Sequence, residues 1–274
     1  MNEATVVNNT PTPDGPMTTA RIARDLISLG VMPGMTLIVH SSMSRMGWVN
    51  GGPVAVILAL EEALTPSGTL VMPTHTSGVS DPALWQNPPV PEVWWETIRE
   101  TMPAYDPDLT PAIGVGTIPE TFRKQEGVQR SEHPQHSFAA WGQHAAAILH
   151  PHPLDNSLGE TSPLARLYEY DGWILLLGVG HGNNTSLHLA EYRATWPGKK
   201  QEQNGASVTI NGQRQWAIFD NVYLDESDFV RIGPAFAEAG GEVRRGKVGL
   251  ADCELVRVRP LVDFAVTWME QNRT

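Results

Sequence analysis

Between residues 178 and 191 the chain reads Gly-Val-Gly-His-Gly-Asn-Asn-Thr-Ser-Leu-His-Leu-Ala-Glu, directly after an apolar run at 173–177. That order predicts a buried strand, a tight Gly/Asn turn, and a helix starting near Asn184 or Thr185. On such a helix His188 lies one turn in, and Glu191, three residues on, shares its face. The positive helix end disfavours an imidazolium, while a carboxylate in reach restores basicity and orients the ring. Such a histidine is suited to accept a proton at neutral pH. The competing reading is a surface histidine beside a solvated glutamate; the strand-end location favours function.

A second segment with chemical potential runs His40-Ser41-Ser42-Met43-Ser44-Arg45-Met46-Gly47-Trp48-Val49-Asn50-Gly51-Gly52-Pro53. It lies between a predicted strand and a helix whose first turn contains proline. Amides exposed at a helix start, glycines that permit close approach, and serine hydroxyls make a cradle for a pyrophosphate or phosphopantetheine group. A purely structural turn competes with that reading. Neither a Walker loop nor a GxGxxG spacing is present. Pro73-Thr74-His75-Thr76 is expected beside this loop at the carboxyl edge of the sheet, where α/β proteins bind ligands, or else as a plain strand-end turn. Histidines at 133, 136, 150 and 152 raise the question of a metal. No HExxH motif and no His-x-His on a strand supports one, so no metal is expected.

These residues need elements to hold them. The pattern predicts a helix from Thr18 or Thr19 to Leu29, closed by Gly30, then a strand at 36–40, a helix at 54–64 and a strand at 68–72. From 73 to 111 the patterning gives way to Pro, Trp and Asp, apart from a short helix at 93–102; so long an irregular stretch is usually functional. Helices are predicted at 118–125, 143–149 and after Ser162-Pro163, with strands at 137–141 and 173–179. Asn211-Gly212 between 207–210 and 213–219 signals a type I′ hairpin. A helix at 229–239, strands at 241–247 and 253–258, and a closing helix at 260–271 complete the chain. The order predicts an α/β core, a mixed sheet flanked by helices, with a hairpin-rich C-terminal part over about 200–274. Residues 1–16 read as a disordered polar tail, and 17–274 as a single domain.

Composition narrows the function. At 274 residues with a net charge of −11, the chain lacks the basic surface of a nucleic-acid binder. No segment approaches the roughly 20 apolar residues of a membrane span. One cysteine, Cys253, excludes an intrachain disulfide and a cysteine-based zinc site, and cytoplasmic residence is the default expectation. The acidic balance suits a cationic ligand, although acidity also serves solubility alone. Trp85, Trp94 and Trp95 fall in a Pro-rich segment that either walls an aromatic pocket or packs a loop. A homodimer is the base-rate expectation.

Taken in order, PGMTLIVHSSMSRMGWVNGGPVAVILAL, LTPSGTLVMPT, AYDPDLTPAIGVGTIPETFR, RSEHPQHSFAAWG, HPLDNSLGETSPLARL and WILLLGVGHGNNTSLHLAE resemble the aminoglycoside 3-N-acetyltransferase family, the antibiotic acetyltransferases distinct from the GNAT fold. The blocks span residues 33–191. The resemblance implies an antibiotic acetyltransferase fold, acetyl-CoA as acyl donor, a cationic aminoglycoside as acceptor, and no metal. By position it implies that His40, Ser41, Ser42, Met43, Gly47, Gly51 and Gly52 cradle the coenzyme and that Thr74 faces the thioester. His188 matches the catalytic histidine of a Leu-His-x-x-Glu motif with Glu191 beside it. Asp155 matches the Asp of an Asp-x-x-x-Gly-x-x-Ser-Pro segment, holding either the acceptor or the histidine. Asp81, Trp85, Asp106, Asp155 and Glu191 are the expected acceptor contacts. The stretch at 73–78 looks closer to an environmental branch of the family than to the drug-selected enzymes. An acetyltransferase acting on another amine, a non-catalytic binder of cations, and a metal-dependent hydrolase are the alternatives.

Overall fold

The structure, a computed structural model, describes residues 3–10 and 15–274. Part of the expected disordered tail is a short helix, α1 (Glu3–Asn9), and the rest of that tail at 1–2 and 11–14 lies outside the described residues. Thr10 secures it: its hydroxyl donates to the Val6 carbonyl and accepts the Trp48 N–H. The chain continues through α2 (Thr19–Leu29), β1 (Thr36–Ser41), α3 (Gly52–Leu64), β2 (Thr69–Pro73), α4 (Trp95–Thr101) and α5 (Thr117–Phe122). Next come β3 (Gln129–Arg130), β4 (Phe138–Gly142), α6 (Ala145–Leu149), α7 (Pro163–Glu169), β5 (Trp173–Leu177) and α8 (Leu187–Arg193). The last part comprises β6 (Gln201–Ile210), β7 (Gln213–Val222), α9 (Phe229–Glu238), β8 (Val243–Val248), β9 (Ala251–Arg257) and α10 (Val258–Asn272).

Seven strands form one mixed sheet in the order β3-β4-β2-β1-β5-β9-β8. β1 pairs in parallel with β2 and β5, and the flanking pairs are antiparallel. The continuous apolar runs of the central strands are buried on both faces, as parallel strands require. Leu37, Val39, Leu175 and Leu177 pack towards α2 and α3, whereas Ile38, Ile174 and Leu176 pack towards α7, α8 and α10. This is the two-residue period of a strand, divided between two cores.

The C-terminal part is not one lobe. β6 and β7 make a separate two-stranded sheet, turned by Asn211 and Gly212 with φ of 52° and 74°, the geometry that the Asn-Gly pair predicts. β8 and β9 instead extend the main sheet through β5. Helix α8 begins at Leu187, later than expected, after a 3-10 turn at His181–Asn183. Asn184 explains the delay: its side chain accepts the Ser186 N–H and donates to His181 Nδ1, and such local bonds compete with a helix.

The histidine-rich segments, raised above as a metal question, are packed and bonded. His133 Nδ1 accepts the Gln135 and His136 N–H groups and its Nε2 donates to the Leu154 carbonyl. His152 bonds to Ser131 and to the Ser157 carbonyl. Among the described residues no group of three or more metal-ligating side chains is arranged to hold an ion. Burial lowers His40 and His136 to about 3 and His152 to about 4, and holds His75 and His133 well below the ordinary value.

These five rings stay neutral in the fold but bind protons in the unfolded chain below about pH 6.5. Their contribution is therefore complete above that pH and is lost as pH falls, by about 1.4 kcal/mol per unit for each ring. Because all five shifts have the same sign, their losses on acidification act in the same direction. Acid unfolding followed by circular dichroism is expected between about pH 6 and pH 4.5, with uptake of several protons. An urea midpoint that does not move between pH 7 and pH 5 contradicts five buried neutral rings.

Candidate active site

Because β1, β2 and β5 run in parallel, the loops after Ser41, Pro73 and Leu177 converge at one edge of the sheet. Between them lies a cleft of about 800 Å³, lined by His40, Ser41, Ser42, Met43, Gly47, Gly52 and His188 among others. A second cleft, of about 990 Å³, is lined by Trp85, Gln135, Glu202, Asn204, Asn221 and Tyr223. The hairpin β6–β7 supplies Glu202, Asn204 and Asn221. The two clefts share His75 and His188.

The three-residue spacing on α8 puts His188 Nδ1 2.5 Å from Glu191 Oε2. The carboxylate accepts, so Nδ1 carries a hydrogen, and in the neutral ring the lone pair is on Nε2. Glu191 is fully buried and His188 is 14% exposed. The other carboxylate oxygen, Oε1, accepts Arg273 Nη1–H at 2.7 Å and the Asp225 N–H at 3.0 Å. Arg273 also holds Asp228 through two nitrogens, at 2.8 and 2.6 Å, and donates to the Asp225 carbonyl. Burial depresses the Arg273 guanidinium, but the bonds to Asp228 and Glu191 more than reverse this and keep it charged. A carboxylate, an imidazole and an arginine thus form a chain from the interior to the cleft.

On the other side of that cleft the serine–glycine turn is shaped by backbone freedom. Gly51 and Gly52 have φ of 88° and 57°, and a Cβ on Gly52 would meet nothing within 4 Å. The start of α3 therefore presents bare backbone to the cleft. Ser41 Oγ and His40 Nε2 are buried there without a hydrogen-bond partner. Arg45, Ser44, Asn9 and Asn183 line an adjoining hollow of about 660 Å³.

Several expected site residues are elsewhere. Thr74 does not face the cleft: it is fully buried, its hydroxyl bonded to Ser137 and Arg130, and its neighbour His75 takes the wall position. Glu191 is too buried to touch an acceptor and reaches the cleft only through His188. Asp155 is exposed, accepts the Asp220 N–H at 2.9 Å and lines neither cleft. Asp81 caps a 3-10 turn and pairs with Arg99 at 2.7 Å, and Asp106 accepts the Asp108 and Leu109 N–H groups. Neither has its carboxylate on a cleft wall. Gly51 shapes the turn without lining the cleft, whereas Trp85 does line the second cleft, its Nε1–H bonded to Ser80. Sequence reasoning missed Arg273, Asp228 and Glu202, and had Arg45 only as part of the candidate loop. Arg273 lies 82 positions from Glu191, and nothing local marks their pairing.

The mixed α/β sheet carries two clefts that share a pair of histidines. The chain belongs to the aminoglycoside 3-N-acetyltransferase family, whose profile matches residues 38–270. It is 47% identical over 258 residues to the SPbeta prophage-derived aminoglycoside N(3')-acetyltransferase-like protein YokD of Bacillus subtilis (strain 168), covering 94% of each chain. The YokD crystal structure superposes with a TM-score of 0.94 over 98% of each chain. Aminoglycoside N(3)-acetyltransferase VII of Streptomyces paromomycinus is 39% identical, covering 94% of this chain and 93% of the relative. The AAC-IIIb binary complex with CoASH is 32% identical with a TM-score of 0.83, over 93% of this chain and 96% of that one. The named family members are acyltransferases.

Proposed function

We propose that the chain transfers the acetyl group of acetyl-CoA to an amine, the 3-amino group of an aminoglycoside, with His188 as general base. The observation that carries this reading is the meeting of two clefts at an imidazole whose free nitrogen is an acceptor. In the first cleft, Ser41 Oγ, Ser42, and the amides beside Gly52 receive the coenzyme arm, and Arg45, on the adjoining hollow, pairs with a phosphate. In the second, Glu202 and the amides of Asn204 and Asn221 receive an aminated sugar above the Trp85 and Tyr223 rings. His188 Nε2 takes the amine proton as nitrogen attacks the thioester carbonyl, and Glu191 stabilises the imidazolium. Transfer is direct, and Cys253, buried in β9, takes no part. Residues 17–274 act as one unit, since the hairpin completes the acceptor cleft.

One observation favours a second acceptor class. Among the described residues lining the acceptor cleft, Glu202 is the single carboxylate, because Asp81 and Asp106 are engaged elsewhere. A less highly charged natural-product amine satisfies that cleft as well as a polycation does. Thiol release from acetyl-CoA, measured against a panel of aminoglycosides and simple amines, is expected to show turnover with at least one aminoglycoside. Turnover confined to other amines selects the second class; no release with any acceptor rejects acetyl transfer.

A further inference from the structure

His75 and His188 are, among the described residues, the two side chains that line both clefts, but they present opposite chemistry there. His188 is oriented by Glu191 so that it offers a lone pair. His75 lies just beyond the end of β2, its ring held edge-on against His136 and Phe138 with centroids 5.5 and 5.4 Å away. Its Nδ1 is buried without a hydrogen-bond partner. Burial keeps the ring neutral, so it carries one N–H. A buried N–H left unpaired is costlier and rarer than an unfilled acceptor, which puts the hydrogen on Nε2, the nitrogen that is not among the enclosed, unpartnered atoms of this cleft-lining ring. The junction therefore has an acceptor on one side and a donor on the other.

That pairing matches the two charges that acyl transfer moves. An attacking amine must lose a proton, which only an acceptor can take, and a carbonyl oxygen gains negative charge, which only a donor can stabilise. We propose that His75 is a second catalytic residue, its Nε2–H donating to the thioester carbonyl oxygen where the two clefts meet. This rests on the acetyl-transfer reading. The amine nitrogen forms a bond to the carbonyl carbon and the C=O π pair moves to oxygen, where His75 holds it. His188 takes the amine proton. The pair then returns to re-form C=O, the C–S bond breaks with its electrons on sulfur, and the proton leaves His188 for the thiolate. The products are the amide and free coenzyme A, and His75 ends as it began, still neutral.

Two measurements test it. His75→Phe is expected to lower kcat by about 10²–10³-fold, with acetyl-CoA affinity and the acid limb of the pH–rate profile unchanged. His75→Gln, which keeps an N–H donor, restores a substantial part. A kcat within about threefold of the parent, loss through weakened acetyl-CoA binding, a displaced acid limb, or a Gln variant no better than Phe overturns the proposal. If His75→Phe does not fold, the parent protein still decides: infrared difference spectra with carbonyl-labelled acetyl-CoA should show the thioester stretch lowered on binding. A parent that binds and turns over acetyl-CoA with an unshifted carbonyl rejects the donor role alone. A parent that does not bind acetyl-CoA rejects the acetyl-transfer reading, and this proposal with it.

Discussion

Replacing His188 with alanine is expected to lower kcat by about 10²–10⁴-fold while acetyl-CoA affinity stays nearly intact. The asymmetry follows from geometry. His188 is one side chain among many on the first cleft, which serines, glycines and apolar residues also line. Binding is shared among them, but proton abstraction rests on a single lone pair. Nδ1 is committed to Glu191 at 2.5 Å, so no other nitrogen of that ring can serve. His40 and His75 are poor substitutes, since burial holds both well below the ordinary histidine range and leaves them weak bases. A steady-state comparison of kcat with an independently measured acetyl-CoA dissociation constant checks the claim. Unchanged turnover in His188→Ala removes the assignment.

Arg273→Ala is expected to damage both the fold and the chemistry. The side chain is 9% exposed and pairs with Glu191 and Asp228, which are 0% and 8% exposed. Removing one partner from a buried ionic group costs about 3–5 kcal/mol, because the remaining charges stay desolvated and unpaired. For a chain of this size that corresponds to a fall in Tm of about 10 °C. The kinetic effect has a definite sign. Arg273 and the Asp225 N–H hold one oxygen of Glu191 while the other accepts from His188. Without the guanidinium, the carboxylate loses one of the bonds that fix its position, the imidazole is less well oriented, and kcat falls. Arg273→Lys keeps the charge but not the fork that spans two carboxylates, so it should fall between parent and alanine variant. Thermal melts and steady-state kinetics test both parts. A variant with the parent's Tm and kcat shows that the arginine has no hold on the pair.

Local chemistry was readable wherever it depended on neighbours in the chain. Thr18 and Gly30 bound α2 as their residue types predict, Asn211-Gly212 turns the hairpin, and the central strands follow their apolar runs. The His188–Glu191 contact is local in the same way, being a matter of helical spacing, even though the helix starts later than the pattern implies. The serine–glycine turn was marked by residues that tolerate positive φ and permit close approach. What the pattern did not show is that Asp81, Asp106, Asp155 and Thr74 lie off the cleft walls. An aspartate looks the same in sequence whether it caps a turn, pairs with an arginine or faces a ligand. Asp81, Asp106 and Asp155 were each taken up by a neighbouring N–H or guanidinium.

By itself, then, the order of amino acids determined most of the secondary elements, the family and the histidine–glutamate pair, since each depends on periods and motifs a few residues long. Only the tertiary structure decided which side chains share a cleft. It brought a penultimate arginine to the buried glutamate, sent the last two strands into the main sheet, and put hairpin residues opposite a loop more than a hundred positions earlier. Those placements come from packing two apolar faces of one sheet and from satisfying buried charges across the chain. Neither process leaves a mark within the short span over which sequence pattern is informative.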